Sequence, residues 1–189
     1  MEIRIKKKTL KLAGIIFVIL IILLILYLIL GSGNMSKNRI AVFDTNHGEF
    51  KVELFEDTMP LTTSNFIGLV EKGTYEGVIF HRIIDGFMIQ GGDPTGTGMG
   101  DPSIPEIKDE FTDNNRNDRG TISMANRGPD TGSSQFFINL VDNNYLDSKH
   151  PVFGKVVGGM KIVDKIGKAE TGPGDKPLED VVINKVTLE

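Results

Sequence analysis

The 189-residue chain contains no cysteine and no tryptophan, and it has only three histidines. Without cysteine there can be no disulfide framework and no thiolate-bound zinc. The histidines, His47, His81 and His150, are not spaced like a pair of metal ligands, so we expect no bound metal. No serine is flanked in the G-x-S-x-G manner, which leaves nucleophilic catalysis unsupported. Any activity must therefore be sought in chemistry that uses neither a metal nor a nucleophile.

Acidic and basic residues are distributed unevenly along the chain, whose net charge is −4. Residues 1–34 hold five Lys/Arg and one acid, whereas residues 35–189 hold sixteen Lys/Arg and twenty-four acids. Binding to nucleic-acid phosphates requires clustered basic side chains. We therefore expect no nucleic-acid partner for the acidic body of the protein.

An uncharged run of mostly Ile, Leu, Val and Phe occupies residues 12–30. At about 1.5 Å per residue in a helix, such a run spans the roughly 30 Å hydrocarbon core of a bilayer. It is longer than the apolar region of a secretory signal peptide, about 7–15 residues, and the following Gly-Ser-Gly matches a cleavage site only weakly. We therefore predict an uncleaved transmembrane helix at 12–30, with a cleaved signal peptide as the alternative.

The flanks of this run predict its orientation. Five basic residues precede it, and only two follow it closely. Because basic flanks stay in the cytoplasm, we expect residues 1–11 to be cytoplasmic and the body to lie outside the cytoplasm. Residues 31–38 have the composition of a flexible linker. The predicted protein is thus a single-pass membrane protein with an extracytoplasmic domain at 39–189.

The body is long enough for one hydrophobic core and mostly has the pattern of strands. Eight strands are predicted, at 40–44, 49–55, 78–82, 87–90, 121–125, 136–140, 152–157 and 181–188. A first helix is predicted to follow a cap at Asp57 or Thr58, to carry Pro60 in its first turn and to end at Gly73. A second helix fits 160–166. Many short strands with two helices favour a mainly β fold, a closed barrel capped by helices.

The most informative segment runs from Phe80 to Asp93 with the sequence FHRIIDGFMIQGGD. Arg82, Met88 and Gln90 are separated by even numbers of residues, so in an extended strand they project to one face together with Phe80. An unpaired arginine is almost never buried, so this face is not expected to be core. It fits the floor of a groove that binds an apolar group beside a polar one.

Two further segments combine polar and apolar residues in the same way: SMANRGP at 123–129, which leads into TGSSQFFI at 131–138, and YLDSKHPVFGK at 145–155. Taken singly, Phe137 is typical of a core and His150 of a hydrogen-bonding surface residue. Together with 80–93, their order and spacing resemble the cyclophilin family of peptidyl-prolyl cis-trans isomerases, and the resemblance covers residues 39–189. It implies an eight-stranded antiparallel barrel closed by two helices.

The resemblance also implies roles for individual residues. Arg82 matches the catalytic arginine of the family. The pocket for the proline ring is matched by Phe87, Met88, Phe137 and Leu146. Positions that line and orient the peptide are matched by Gln90, Ala125, Asn126, Gln135 and His150. Tyr145 stands where many members have tryptophan, and because the indole N–H is lost we expect weak cyclosporin binding.

These residue types suit catalysis of prolyl isomerisation. Rotation about an X–Pro bond faces a barrier of roughly 18–20 kcal/mol, because the amide is conjugated. In the twisted transition state the proline nitrogen regains its lone pair, and a guanidinium aimed at it stabilises that state more than either planar one. No bond is broken, so no cofactor is expected. The predicted enzyme acts on proline-containing polypeptides, unfolded or exported; the alternative is a non-catalytic proline-peptide-binding chaperone or adaptor tethered to the membrane.

Overall fold

The computed structural model describes residues 38–189 of the chain. The predicted cytoplasmic segment 1–11, the transmembrane helix 12–30 and nearly all of the linker 31–38 lie outside the described residues. Within 38–189, no helix combines the length and the apolar character needed to cross a membrane.

Nine strands form one sheet in this part of the chain. They are β1 (Ile40–Thr45), β2 (Gly48–Leu54), β3 (Val78–Ile79), β4 (Arg82–Ile84), β5 (Met88–Gly91), β6 (Thr121–Met124), β7 (Phe136–Asn139), β8 (Val152–Gly158) and β9 (Val182–Leu188). All neighbours are antiparallel, in the order β3-β9-β1-β2-β8-β6-β7-β5-β4. The prediction of a mainly β fold is confirmed, and seven of the eight predicted strands are found.

The predicted strand at 78–82 is wrong, because the chain divides there into β3 and β4. β3 pairs with β9, whereas β4 pairs with β5, so this segment passes from one edge of the sheet to the other. The side chains of Phe80 and His81 are both buried, 0% and 7% exposed, which breaks the alternation of a regular strand. The predicted closed eight-stranded barrel is thereby corrected: the hydrogen-bonded ladder is an open nine-stranded sheet whose edge strands are neighbours in sequence.

Between residues 38 and 189, two α-helices accompany the sheet, α1 (Pro60–Glu71) and α2 (Met160–Gly167), and their number matches the two helices predicted for the body. Two short 3-10 helices lie at Asn144–Leu146 and Pro173–Asp175.

The predicted N-terminal cap of α1 by Asp57 or Thr58 is wrong. The capping position is Met59, which has no side-chain oxygen to offer. Instead, the Glu110 carboxylate accepts hydrogen bonds from the backbone N–H groups of Leu61 and Thr62, at 3.2 and 3.0 Å. An anion at this end of a helix also interacts favourably with the helix dipole. The cap of α1 is therefore supplied by tertiary structure.

Aromatic rings fill the core between α1 and the sheet. Phe43 stacks on Phe50 with ring centroids 4.7 Å apart, and Phe136 meets Phe66 of α1 edge to face at 6.0 Å. Burial of each such side chain contributes about 1.5–3 kcal/mol. Since successive strand residues point to opposite faces, the inward ring of Phe136 places Phe137 on the other face of β7.

Candidate active site

A row of three side chains crosses β4, β5 and β7. Arg82 is paired with Gln90, and Gln90 is paired with Phe137, in antiparallel register. Directly opposed residues of antiparallel strands project to the same face, with Cα atoms about 4.5–5.5 Å apart. The sheet therefore sets a guanidinium, an amide and a phenyl ring side by side. Met88, two residues from Gln90 in β5, shares this face and is only 2% exposed.

Phe80 does not belong to this row. Its ring is fully buried and meets Phe136 edge to face at 6.2 Å, within the core. The prediction that Phe80 projects with Arg82 is therefore wrong, because one strand was assumed where the chain breaks at 80–81. Arg82 and Gln90 share a face through a hairpin, and not along a single strand.

Two ring contacts involve residues predicted for the proline pocket. The His150 ring meets the Phe137 ring edge to face, with centroids 5.3 Å apart. The ring of Phe87 stacks on Tyr145 at 6.3 Å, and Tyr145 and Leu146 belong to the same short 3-10 helix. The two pairs are linked through the backbone, because the His150 N–H donates to the Leu146 carbonyl oxygen at 3.0 Å.

The imidazole of His150 is held in one orientation. Its Nδ1 lies 3.1 Å from the carbonyl oxygen of Met124, which can only accept a hydrogen bond. In the neutral ring, Nδ1 therefore carries the proton and Nε2 remains an acceptor. Burial lowers the pKa of His150 below its usual value, although the Met124 carbonyl opposes this effect. Burial therefore favours the neutral ring.

A chain of amides forms the polar side of the site. Gln90 Nε2 donates to Gln135 Oε1 at 3.0 Å, and Gln135 Nε2 donates to the carbonyl oxygen of Gly98 at 3.1 Å. Beside it lies a cavity of roughly 430 Å³. Four predicted peptide-lining residues contribute to its walls, Gln90, Ala125, Asn126 and Gln135. Residues 98–102 and 104–106 form much of the remaining lining.

The loop that carries Gly98 is organised by the buried carboxylate of Asp93. This carboxylate accepts hydrogen bonds from the backbone N–H groups of Thr95, Gly98 and Gly100, at 2.9, 2.7 and 3.1 Å. Burial by itself raises the pKa of Asp93, but the N–H donors outweigh it and the pKa is lowered. The charged form of Asp93 is thus favoured within the loop, and Gln135 donates to a carbonyl oxygen of the same loop. The sequence indicates Asp93 only as the last residue of the segment 80–93, and not as the centre of this loop.

Two residues that sequence reasoning missed support the site. Asp175 forms an ion pair with Arg82, and Asn115 forms hydrogen bonds with the backbone at both ends of the segment 147–152. Asn115 is preceded by Asp113 and Asn114 in a polar stretch typical of turns, and its partners are more than thirty positions away. No local pattern could have indicated either role.

Comparison with known proteins identifies the family. A family model described as cyclophilin type peptidyl-prolyl cis-trans isomerase/CLD matches residues 40–188. The chain is 48% identical over 147 residues to a peptidyl-prolyl cis-trans isomerase of Arabidopsis thaliana, covering 76% of this chain and 92% of that protein. It is 48% identical over 146 residues to peptidyl-prolyl cis-trans isomerase-like 1 of Emericella nidulans, covering 75% and 89%.

A solved structure agrees with these relatives. The crystal structure of a cyclophilin type peptidyl-prolyl cis-trans isomerase of Cryptosporidium parvum superposes with a TM-score of 0.77 at 34% identity, covering 80% of this chain and 98% of that one. A structure of the same parasite protein, determined in the presence of the dipeptide Ala-Pro, superposes with a TM-score of 0.76.

Proposed function

Because the chain belongs to the cyclophilin-type peptidyl-prolyl cis-trans isomerases, we propose that Arg82 is its catalytic residue and that the groove beside it binds X–Pro segments. One observation carries this proposal: the register of β4, β5 and β7 places Arg82, Gln90 and Phe137 side by side. An apolar surface for a proline ring thus lies within one strand spacing of an amide, and within two of a guanidinium.

The proline ring rests, in this proposal, on Phe137 and Met88, with Phe87 and Leu146 as flanking apolar groups. Both Phe137 and Met88 are nearly buried, so they offer a preformed surface and not a flexible one. Gln90 and the backbone of Asn126 hold the carbonyl that precedes the proline. Ala125, Gln135 and His150 complete the walls along the peptide. With the flanking groups fixed, twisting is confined to the one bond between them.

Arg82 acts on the twisted state. As the peptide bond rotates, conjugation is lost and the lone pair returns to the proline nitrogen. A guanidinium N–H donor directed at that nitrogen stabilises the transition state and not the planar ground states, which is the condition for a faster rate. Arginine suits this role because its planar guanidinium presents its N–H donors in fixed directions.

The proposal is tested by Arg82→Ala and Arg82→Lys in an NMR exchange assay on a proline-containing peptide. Loss of a donor to a transition state lowers kcat by about 10²–10³. Lysine keeps the charge but not the planar fork, so we expect partial activity. Arg39→Ala is the matched control, because Arg39 is also ion-paired and is 40% exposed against 42% for Arg82. A wild-type rate in Arg82→Ala would overturn the proposed role.

We also propose that residues 12–30 tether the enzyme to a membrane, with residues 1–11 in the cytoplasm and the isomerase domain outside it. The length of the uncharged run and the basic residues before it support this proposal. Unfolded or newly exported chains would then be the substrates. Protease added to intact cells should digest the domain. Protection of residues 39–189 would reverse the orientation, and release of the intact chain by alkaline carbonate would contradict the anchor.

Weak cyclosporin binding remains a prediction. The Tyr145 side chain is 67% exposed at the position in question and stacks on Phe87. A tyrosine ring supplies stacking area but no indole N–H. Tyr145→Trp should tighten cyclosporin binding in a titration, and equal affinity in both proteins would contradict the reasoning.

A further inference from the structure

An ion pair connects Arg82 to a distant loop. Arg82 Nε donates to Asp175 Oδ2 at 3.2 Å, across 93 positions of sequence. Among residues 38–189, no other predicted groove residue takes part in an ion pair. Arg82 is therefore constrained from outside the hairpin that carries it.

The contact can orient Arg82 because Asp175 binds the guanidinium at Nε. Nε lies at the base of the guanidinium, and the group is planar and rigid. A bond at Nε therefore limits the orientation of the whole plane. The two terminal nitrogens donate no hydrogen bond to any group within the described residues. Asp175 thus restrains the guanidinium without using the donors that a substrate would meet.

The turn that presents Asp175 has its shape independently of Arg82. Asp175 has a φ of 59° and follows Gly174 at 73°, so two successive residues adopt the left-handed conformation. The turn is closed by backbone hydrogen bonds from Asp175 to Gly172 at 3.2 Å and from Gly172 to Lys176 at 2.8 Å. A residue other than glycine in this conformation is strained, although Asp and Asn tolerate it best. The carboxylate is therefore held at a position where most side chains would be unfavourable.

We propose that Asp175 is a positioning residue for Arg82: by holding Nε, it directs the terminal nitrogens of the guanidinium towards the groove. It does not touch the substrate and acts only through Arg82. This inference rests on the proposed catalytic role of Arg82.

The test compares three variants of the full chain in detergent solution. Asp175→Gly removes the carboxylate and accepts the left-handed backbone, and Asp175→Asn keeps a side-chain oxygen acceptor and tolerates that backbone. Glu189→Gln is the control, since it breaks an exposed ion pair with Lys51 on strand β2, away from β4 and β5 in the sheet. Circular dichroism and thermal melting establish that each variant is folded. Two quantities are then measured: kcat and KM on a proline peptide, and the ¹⁵N–¹H signal of Arg82 Nε, assigned by its loss in Arg82→Lys.

In Asp175→Gly we expect kcat to fall about three- to fivefold, the size of losing one partly exposed ion pair, with KM little changed. The Nε–H signal should shift and exchange faster with solvent. Asp175→Asn should restore most of kcat and keep the signal in place, and Glu189→Gln should match the wild type.

If the wild type is active and Asp175→Gly has the same kcat, the positioning role alone is overturned. The same holds if the Nε–H signal does not move in that variant. Failure of Asp175→Asn to recover kcat while its Nε–H signal stays in place would also overturn it. An inactive wild type would instead overturn the proposed function, and the two failures are therefore distinguishable.

Discussion

Replacement of Asn115 by alanine should loosen one wall of the groove. The Asn115 amide nitrogen donates to the carbonyl oxygens of Asp147 and His150, at 2.6 and 3.1 Å, and its Oδ1 accepts from the Val152 N–H at 2.7 Å. One side chain thereby fixes both ends of the segment that carries His150. Without it, the Asp147 carbonyl and the Val152 N–H lose this partner, and the His150 carbonyl keeps only the Asn117 amide, at 3.3 Å.

The size of the effect follows from these three bonds. A typical intramolecular hydrogen bond contributes a net of about 0.5–1.5 kcal/mol, so their loss lowers the free energy of unfolding by about 3 kcal/mol. In a domain of this size, each kcal/mol corresponds to about 2–4 °C in Tm. We therefore expect Tm to fall by about 6–12 °C. Arg82 is untouched, so KM should rise while kcat stays near the wild-type value.

Thermal melting and steady-state isomerisation kinetics measure both effects. Asn114→Ala is the matched control, because Asn114 is the same residue type, adjacent and exposed, and its side chain makes no hydrogen bond among the described residues. Equal Tm values for the two variants would refute the assigned network. A lowered Tm with an unchanged KM would refute the link between this network and the groove.

Two further predictions concern stability. Burial lowers the pKa of His150 below the unfolded value of about 6.5, so the unfolded chain binds more protons in acid. The free energy of unfolding should therefore fall as the pH drops from about 6.5 towards the folded pKa. His150→Gln should flatten this dependence in urea titrations at several pH values, and an unchanged slope would contradict it. Glu110→Ala should lower stability by about 1 kcal/mol through loss of the α1 cap, with kcat/KM unchanged. Asp113→Ala is the control, because it removes an exposed acid three positions away. Equal Tm values for Glu110→Ala and Asp113→Ala would refute the role of Glu110 as the cap.

Local patterns were sufficient for most of the fold. The strands from β5 to β9 follow alternating or continuous apolar runs bounded by glycine and turn residues, so their existence could be predicted. The break between β3 and β4 at Phe80 and His81 could not be predicted in this way. Both residues suit a strand by themselves, and only the competition between β9 and β5 for the two halves of this segment divides it.

The candidate site was likewise predictable in part. The residue types that meet, a cation, an amide and apolar rings, could be predicted from their spacing, because a sheet brings such spacings to one face. The contacts that hold these side chains became apparent only from the packing of the whole domain. The hydrogen bonds that hold the site and α1 join segments 32 to 93 positions apart: Asp175 with Arg82, Asn115 with the backbone of Asp147, and Glu110 with the first turn of α1. Periodicity along the chain carries information on which face a residue occupies, but a side chain's distant partner is set by the packing of the whole sheet.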